Sequence, residues 1–368
     1  MAKIKFFLFI GFPFFIAAFS SRPASSHRFA GPAPDSLRYP EEKHLKNVRQ
    51  LTFGADNAEA YWSFDGKLIS FQSNNAAWGL SCDQVFFMPV EGTDLRQGGK
   101  PRMISTGLGR TTCSFFLPGD KQILYASTHL GGKECPKDVV RKPGGKYVWP
   151  VYDSYDIFVA SLDGIIVDQL TALPGYDAEA TVSPKKDKIV FTSTRNGDLD
   201  LYVMDLRGKH IKQITHELGY DGGAFFSPDG RKIVFRASRP ETEEQKKEYL
   251  DYLKQGLVAP TQMEIFVCNA DGTGLKQITH LGKANWAPFY HPSGKKIIFS
   301  SNYKGSRGFQ FNLFMINEDG TGLEQITYDS VFDAFPMFSP DGKKIIFSSN
   351  RNNGGTHNTN LFVADWMD

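Results

Sequence analysis

Six polar side chains recur at one register of a repeated segment. Asn57, Thr111, Asp177, Asp221, Asn285 and Asp333 each stand six residues before the position occupied by serine in a Ser-Pro turn. Two residues further on the column reads Glu59, Cys113, Glu179, Gly223, Ala287 and Phe335, which adds two carboxylates and an apolar side. Carboxylates gathered in a cavity bind a cation or a basic group, or shift one another's proton affinity. A plainer account is that short Asx side chains cap their own turns. That account covers the first column better than it covers Glu59 and Glu179.

Other reactive residues are scattered. His129, His216, His280 and His357 fall in loops of different segments, so surface histidine explains them better than a shared metal site. The four cysteines Cys82, Cys113, Cys135 and Cys268 allow three full pairings and show no CxxC or Cys/His zinc spacing. A Cys82 to Cys113 disulfide is the preferred pairing, with Cys268 packed as a small apolar residue. The sequence has no GxSxG elbow, HExxH, Walker loop or dinucleotide-binding glycine fingerprint. These absences speak against the best-marked hydrolases and nucleotide enzymes, but not against an enzyme whose groups converge only in three dimensions.

The elements that must position these residues are repeats. The segment DAFPMFSPDGKKIIFSSN (333–350) recurs as AFFSPDGRKIVFRAS, PFYHPSGKKIIFSSN, ATVSPKKDKIVFTST, SFFLPGDKQILYAST and AYWSFDGKLISFQSN. Proline presets a turn's φ, aspartate bonds its own backbone and glycine takes the left-handed position, so each copy encodes a hairpin of strands a and b. A further apolar strand c and a segment d ending in Gln-Leu-Thr or Gln-Ile-Thr complete four strands. Strand d of the last copy is missing, and Leu51-Thr52 stands alone at the start. The spacing therefore predicts an all-β, six-bladed β-propeller of four-stranded antiparallel blades, closed by an N-terminal strand over 48–53. The two longest insertions, 129–152 and 239–262, are both b–c connections, on the face also reached by the d–a connections. The second carries Thr242 and Gln245 in capping-box spacing, then Tyr249, Leu250, Leu253 and Gly256, which predicts a short amphipathic helix. The first is basic, with Lys133, Lys137, Arg141, Lys142 and Lys146, and reads as a solvated loop.

Lys3 and Lys5, an apolar run from Phe6 to Phe19 and small residues before Ser20 have the layout of a signal peptide over 1–20. Residues 21–47, rich in Ser, Pro and Ala at their start, read as a flexible linker. With 42 Lys and Arg against 40 Asp and Glu, no basic excess points to nucleic acid.

Ser-Pro-Asp-Gly followed by Lys-Ile-Ile-Phe-Ser-Ser-Asn, and Leu-Phe-Met-Ile-Asn-x-Asp-Gly-x-Gly-Leu-x-Gln-Ile-Thr, resemble the repeat of the TolB-like propeller family, the PD40 or WD40-like repeat, over residues 48–368. The sequence departs from TolB in that residues 21–47 are too few for the α/β domain preceding TolB's propeller. The resemblance implies an exported, periplasmic or secreted, non-catalytic scaffold that binds a protein or peptide of the cell envelope and needs no cofactor. The expected binding residues at the channel mouth are Asn57, Glu59, Thr111, Asp177, Glu179, Asp221, Asn285 and Asp333. The second reading is a divalent-metal-dependent hydrolase or lyase, with Ca2+ or another cation held at the same mouth.

Overall fold

The Ser-Pro hairpins form as their residues dictate. In the blade 4 turn Ser227 Oγ donates to Asp229 Oδ1 (2.7 Å) and accepts from Lys232 N (2.9 Å), while Gly230 takes φ +67°. The same bonds recur at Ser339, Asp341 and Lys344. Asp229 and Asp341, accepting these bonds, are held below the usual carboxylate range.

The computed structural model describes residues 34–93, 99–137, 139 and 145–368. It is a six-bladed β-propeller. Strands a to d run Asn57–Trp62, Leu68–Ser73, Gln84–Pro89 and Arg102–Met103 in blade 1, and Thr111–Phe116, Gln122–Ser127, Asp156–Ser161 and Ile166–Gln169 in blade 2. Blade 3 comprises Asp177–Val182, Lys188–Ser193, Asp200–Asp205 and Lys212–Gln213, and blade 4 comprises Asp221–Phe226, Lys232–Ala237, Glu264–Asn269 and Lys276–Gln277. In blade 5 they are Asn285–Tyr290, Lys296–Ser301, Asn312–Asn317 and Glu324–Gln325. Blade 6 joins Asp333–Phe338, Lys344–Ser349 and Asn360–Trp366 to the N-terminal strand Leu45–Gln50. The core is made by strand b residues such as Phe71, Phe191, Phe235, Phe299 and Phe347 and strand c residues such as Phe86 and Phe314, packed between neighbouring sheets.

The Gln-x-Thr signature has a mechanical origin. Thr215 Oγ1 accepts from Leu201 N (2.9 Å) and donates to Asp200 Oδ1, clamping strand c to strand d, while Gln213 Nε2 donates to Thr215 O. The clamp recurs at Thr171, Thr279, Thr327 and Thr52, and Ser105 performs it in blade 1.

Closure occurs where the chain arithmetic places it, with different limits. The closing strand is Leu45–Gln50 rather than 48–53; Leu45 pairs with Trp366 and Gln50 with Phe362 around an irregularity at Asn47, whose φ is +53°. It starts earlier because Leu45 and Val48 are both buried against strand c. Part of the segment read as a linker is also packed. Within residues 34–44, Glu42 is fully buried and ion-paired with Arg351 at 2.8 Å, and Tyr39 OH donates to Asp329 Oδ2. The expected signal peptide and residues 21–33 lie outside the described residues. Among the described residues, no helix is long and apolar enough to cross a membrane.

The two insertions meet. Trp149–Pro150 from blade 2 pairs antiparallel with Leu257–Val258 from blade 4, forming a small ribbon on the face of the b–c connections, here the upper face. The helix spans Glu243–Leu253 with both bonds of its capping box. Tyr249 is its buried anchor, donating to Asp198, whereas Leu250 turns to solvent.

Candidate functional site

Every strand a carries a bulge at the same place. In blade 3, Asp177 and Ala178 face Ser193 and Thr192, but Thr181 faces Val190, so one extra residue is inserted. The bulged positions are Glu59, Cys113, Glu179, Gly223, Ala287 and Phe335, all at positive φ between +42° and +59°. The left-handed conformation costs a non-glycine residue roughly 1–2 kcal/mol, and bulges re-aim side chains. Here they line the central channel. The upper cavity among these residues has a volume of about 40 Å³, room for roughly three or four waters at about 10–15 Å³ each.

Two carboxylates, Glu59 of blade 1 and Glu179 of blade 3, line it. Glu179 accepts from Tyr220 OH (2.7 Å), Thr192 Oγ1 (2.9 Å), Gly223 N (2.8 Å) and Arg236 Nη2 (2.7 Å). Arg236 also donates to Tyr220 OH and lies 5.0 Å from the Trp149 ring centroid, so the inter-insertion ribbon roofs this pair. Glu59 accepts from Cys113 Sγ and Tyr61 OH, each at 3.1 Å. Burial pushes the Glu59 carboxyl up, opposed by Cys113, Arg236 and Tyr61. The Cys113 thiol is pushed up too, by burial and then by Glu59 and Glu179. Gly222 and Gly223 make room: a Cβ at 222 would lie 2.2 Å from Glu179 Oε2, and one at 223 would lie 2.7 Å from Arg236 Nη1. The sequence showed that Gly-Gly pair, and its chemical meaning was missed.

The first column, by contrast, is buried and internally bonded. Asp177, Asp221 and Asp333 pair with Arg195 (3.0 Å), Arg239 (2.6 Å) and Arg351 (3.0 Å), each arginine standing 18 residues after its aspartate. Asn57 donates to Gly54 O, Thr111 to Asp83 O, and Asn285 to Met263 O. At the matching position 18 later, those blades carry Asn75, His129 and Tyr303 instead of arginine. Aspartate thus occurs where arginine answers it, a signal present in the sequence. These residues pin the b–c loops and set the shape of the mouth from inside. Burial pushes the Asp221 carboxyl up to about 7 against the pull of Arg239.

The cysteines separate. The expected Cys82–Cys113 disulfide is not made: Cys113 faces Glu59 in the channel, whereas Cys82 donates to Gly109 O (3.0 Å) in a loop, where burial and then the neighbouring Cys135 push its thiol up. Cys268 is buried in strand c of blade 4, as expected. Among the described residues no group of three or more His, Cys, Asp or Glu could hold a metal ion.

Below the polar cavity the channel is filled by rings. Tyr61, Phe115, Phe225 and Phe289 stand with centroids 5.1 to 6.4 Å apart. Beneath them an apolar funnel of about 330 Å³ opens on the a–b turns, rimmed by Pro184, Pro228, Pro292 and Pro340.

Residues 151–245 match the family model described as the TolB beta propeller domain, PD40. A putative TolB from Agrobacterium tumefaciens superposes with a TM-score of 0.56 at 19% identity, over 87% of this chain and 97% of that one. TolB from Acinetobacter baumannii gives a TM-score of 0.56 at 18% identity, over 82% of this chain and 64% of that one. At these identities the likeness is one of fold. No curated protein sequence matches.

Proposed function

We propose that the chain is an exported, non-catalytic β-propeller that binds a protein or peptide of the cell envelope on its upper channel face, as a TolB-like periplasmic scaffold does. The observation that carries this reading is the pairing of the two insertions. The a–b turns keep their minimal length, while the b–c connections of blades 2 and 4 are lengthened and joined into one surface over the channel. The channel below is too small and too obstructed by Tyr61, Phe115 and Phe225 for a segment to thread it. A partner therefore meets the rim. The first column, Asn57, Thr111, Asp177, Asp221, Asn285 and Asp333, holds that rim in shape, and Glu59 and Glu179 form its polar floor.

The test is site-specific photo-crosslinking in envelope extract. A photoreactive residue is placed at exposed Tyr303 on the upper face or at exposed Lys343 in the blade 6 a–b turn. A discrete crosslinked partner from position 303 and none from 343 is the expected result. The same partner captured only from 343 overturns the assignment of faces.

A further inference from the structure

One region of the upper face has an unusual chemistry. A groove of about 640 Å³ lies between the blade 2 insertion and the b–c loop of blade 5. Its aromatic wall is continuous: Tyr147 stands 6.3 Å from Trp286, Trp286 stacks on Phe311 at 4.3 Å, and Phe311 meets Phe332 at 5.8 Å. Phe332 in turn stands 6.4 Å from Phe335, which lines the channel. Phe309, on the outer lip, is 56% exposed and extends this apolar surface to solvent.

The polar part is one-signed. Lys283 and Arg307 are the charged residues of the lining, which contains no carboxylate. Each makes one long contact to a backbone oxygen, Lys283 Nζ to Gly305 O at 3.5 Å and Arg307 Nη2 to Ser330 O at 3.4 Å. Among the described residues neither has a carboxylate within ion-pair distance, although Arg195, Arg236, Arg239 and Arg351 all do. Arg307 instead lies 5.0 Å from the Phe309 ring centroid, so cation and ring are presented together. Several other polar groups are already bonded within the fold: Asn302 bonds Ala284 N and Gly308 O, Ser306 bonds Gln310, and Trp286 Nε1 donates to Pro260 O. The loop is also shaped in advance. A Cβ at Gly305 would lie 2.4 Å from Gln310 O, so only glycine permits this fold of the loop.

We propose that this groove binds an acidic protein segment carrying an aromatic side chain, with the ring seated among Tyr147, Trp286 and Phe309 and the carboxylates on Lys283 and Arg307. Aromatic anchors supply contact area at low entropic cost, and complementary charge sets partner choice and association rate. The assignment rests on the upper-face reading and narrows it to one chemistry.

The probe is a labelled peptide, Asp-Glu-Phe-Glu-Asp, titrated into the full chain by fluorescence anisotropy, beside Lys-Lys-Phe-Lys-Lys and Asp-Glu-Ala-Glu-Asp. The acidic aromatic peptide should bind at least about tenfold more tightly than either control, with affinity falling as salt rises. The double variant K283E/R307E should lose that preference while keeping its melting temperature, because both side chains are exposed. F309A should reduce binding of the phenylalanine peptide toward that of the alanine peptide. Equal binding of the basic peptide, or an unchanged preference in K283E/R307E, would overturn the proposal. So would single-stranded DNA or an anionic polysaccharide binding more tightly at the same residues. Photo-crosslinking from position 303 would still succeed if only this narrower claim were wrong.

Discussion

At the scale of single residues, the channel pair Glu179–Arg236 has the most to lose. Both side chains are 9% exposed, and Arg236 is held charged by Tyr220 and Glu179 against the cost of its burial. Removing one partner strands the other charge, which costs about 3–5 kcal/mol, whereas replacing both by apolar groups costs less. E179A should therefore destabilise the fold by that amount in urea, and the double change E179L/R236M should recover part of the loss. An E179A effect below about 1 kcal/mol would show the pair to be better solvated than its burial indicates. Asp221 gives a second handle. Its carboxyl is raised to about 7 in the fold by burial, against an ordinary aspartate value near 4 when unfolded. The folded state thus binds the proton more tightly. Its stabilising contribution is complete below about pH 4 and is lost as pH rises through about 7. His129 and His291, held below the ordinary histidine value by burial, act in the opposite sense. The clean observable is therefore a difference: stability of the native chain minus that of D221N should fall between pH 5 and 8. A flat difference would contradict the raised value.

Elements explain why some of this was legible and some was not. The Ser-Pro-Asp-Gly hairpin and the Gln-x-Thr clamp are local codes, each satisfied by side chains within a few residues or on the adjacent strand, so their repetition identified the strands. The clamp is testable alone. T279V removes the hydroxyl that accepts from Ile265 N and donates to Glu264, leaving buried polar groups unpaired, and should cost about 1–3 kcal/mol by thermal or chemical unfolding. A neutral effect would deny the motif its role. The ribbon between Trp149–Pro150 and Leu257–Val258 was not legible, since two residues on each side carry no pattern and the pairing spans distant insertions. The cysteine reading failed for the same reason. Cys113 sits on a strand a bulge facing the channel, whereas Cys82 and Cys135 are brought together by loops: Gly109 N donates to Lys133 O, and Arg110 reaches Cys135 Sγ at 3.6 Å. Treatment with glutathione disulfide, which takes up the two electrons as two thiols, should yield a Cys82–Cys135 crosslink tying the blade 2 insertion to blade 1. A Cys82–Cys113 crosslink in the peptide map would refute that geometry.

For the whole molecule, the number of blades and the closing strand followed from counting, because a ring with one strand missing at one end and one spare at the other has a single closed solution. What counting could not give is which surface the closed ring presents. The first polar column was legible as a ring, but its burial depends on the arginines that fold back over it, and the groove beside Trp286 exists only because two insertions converge there. The upper face as recognition surface is the central claim, and hydrogen–deuterium exchange of the full chain with and without its crosslinked partner tests it most directly. Bound partner should slow exchange at residues 145–151, 257–262 and 303–311 and leave the a–b turns at 184–187, 228–231 and 340–343 unchanged. Slowed exchange in those turns, with the insertions unaffected, would place recognition on the opposite face.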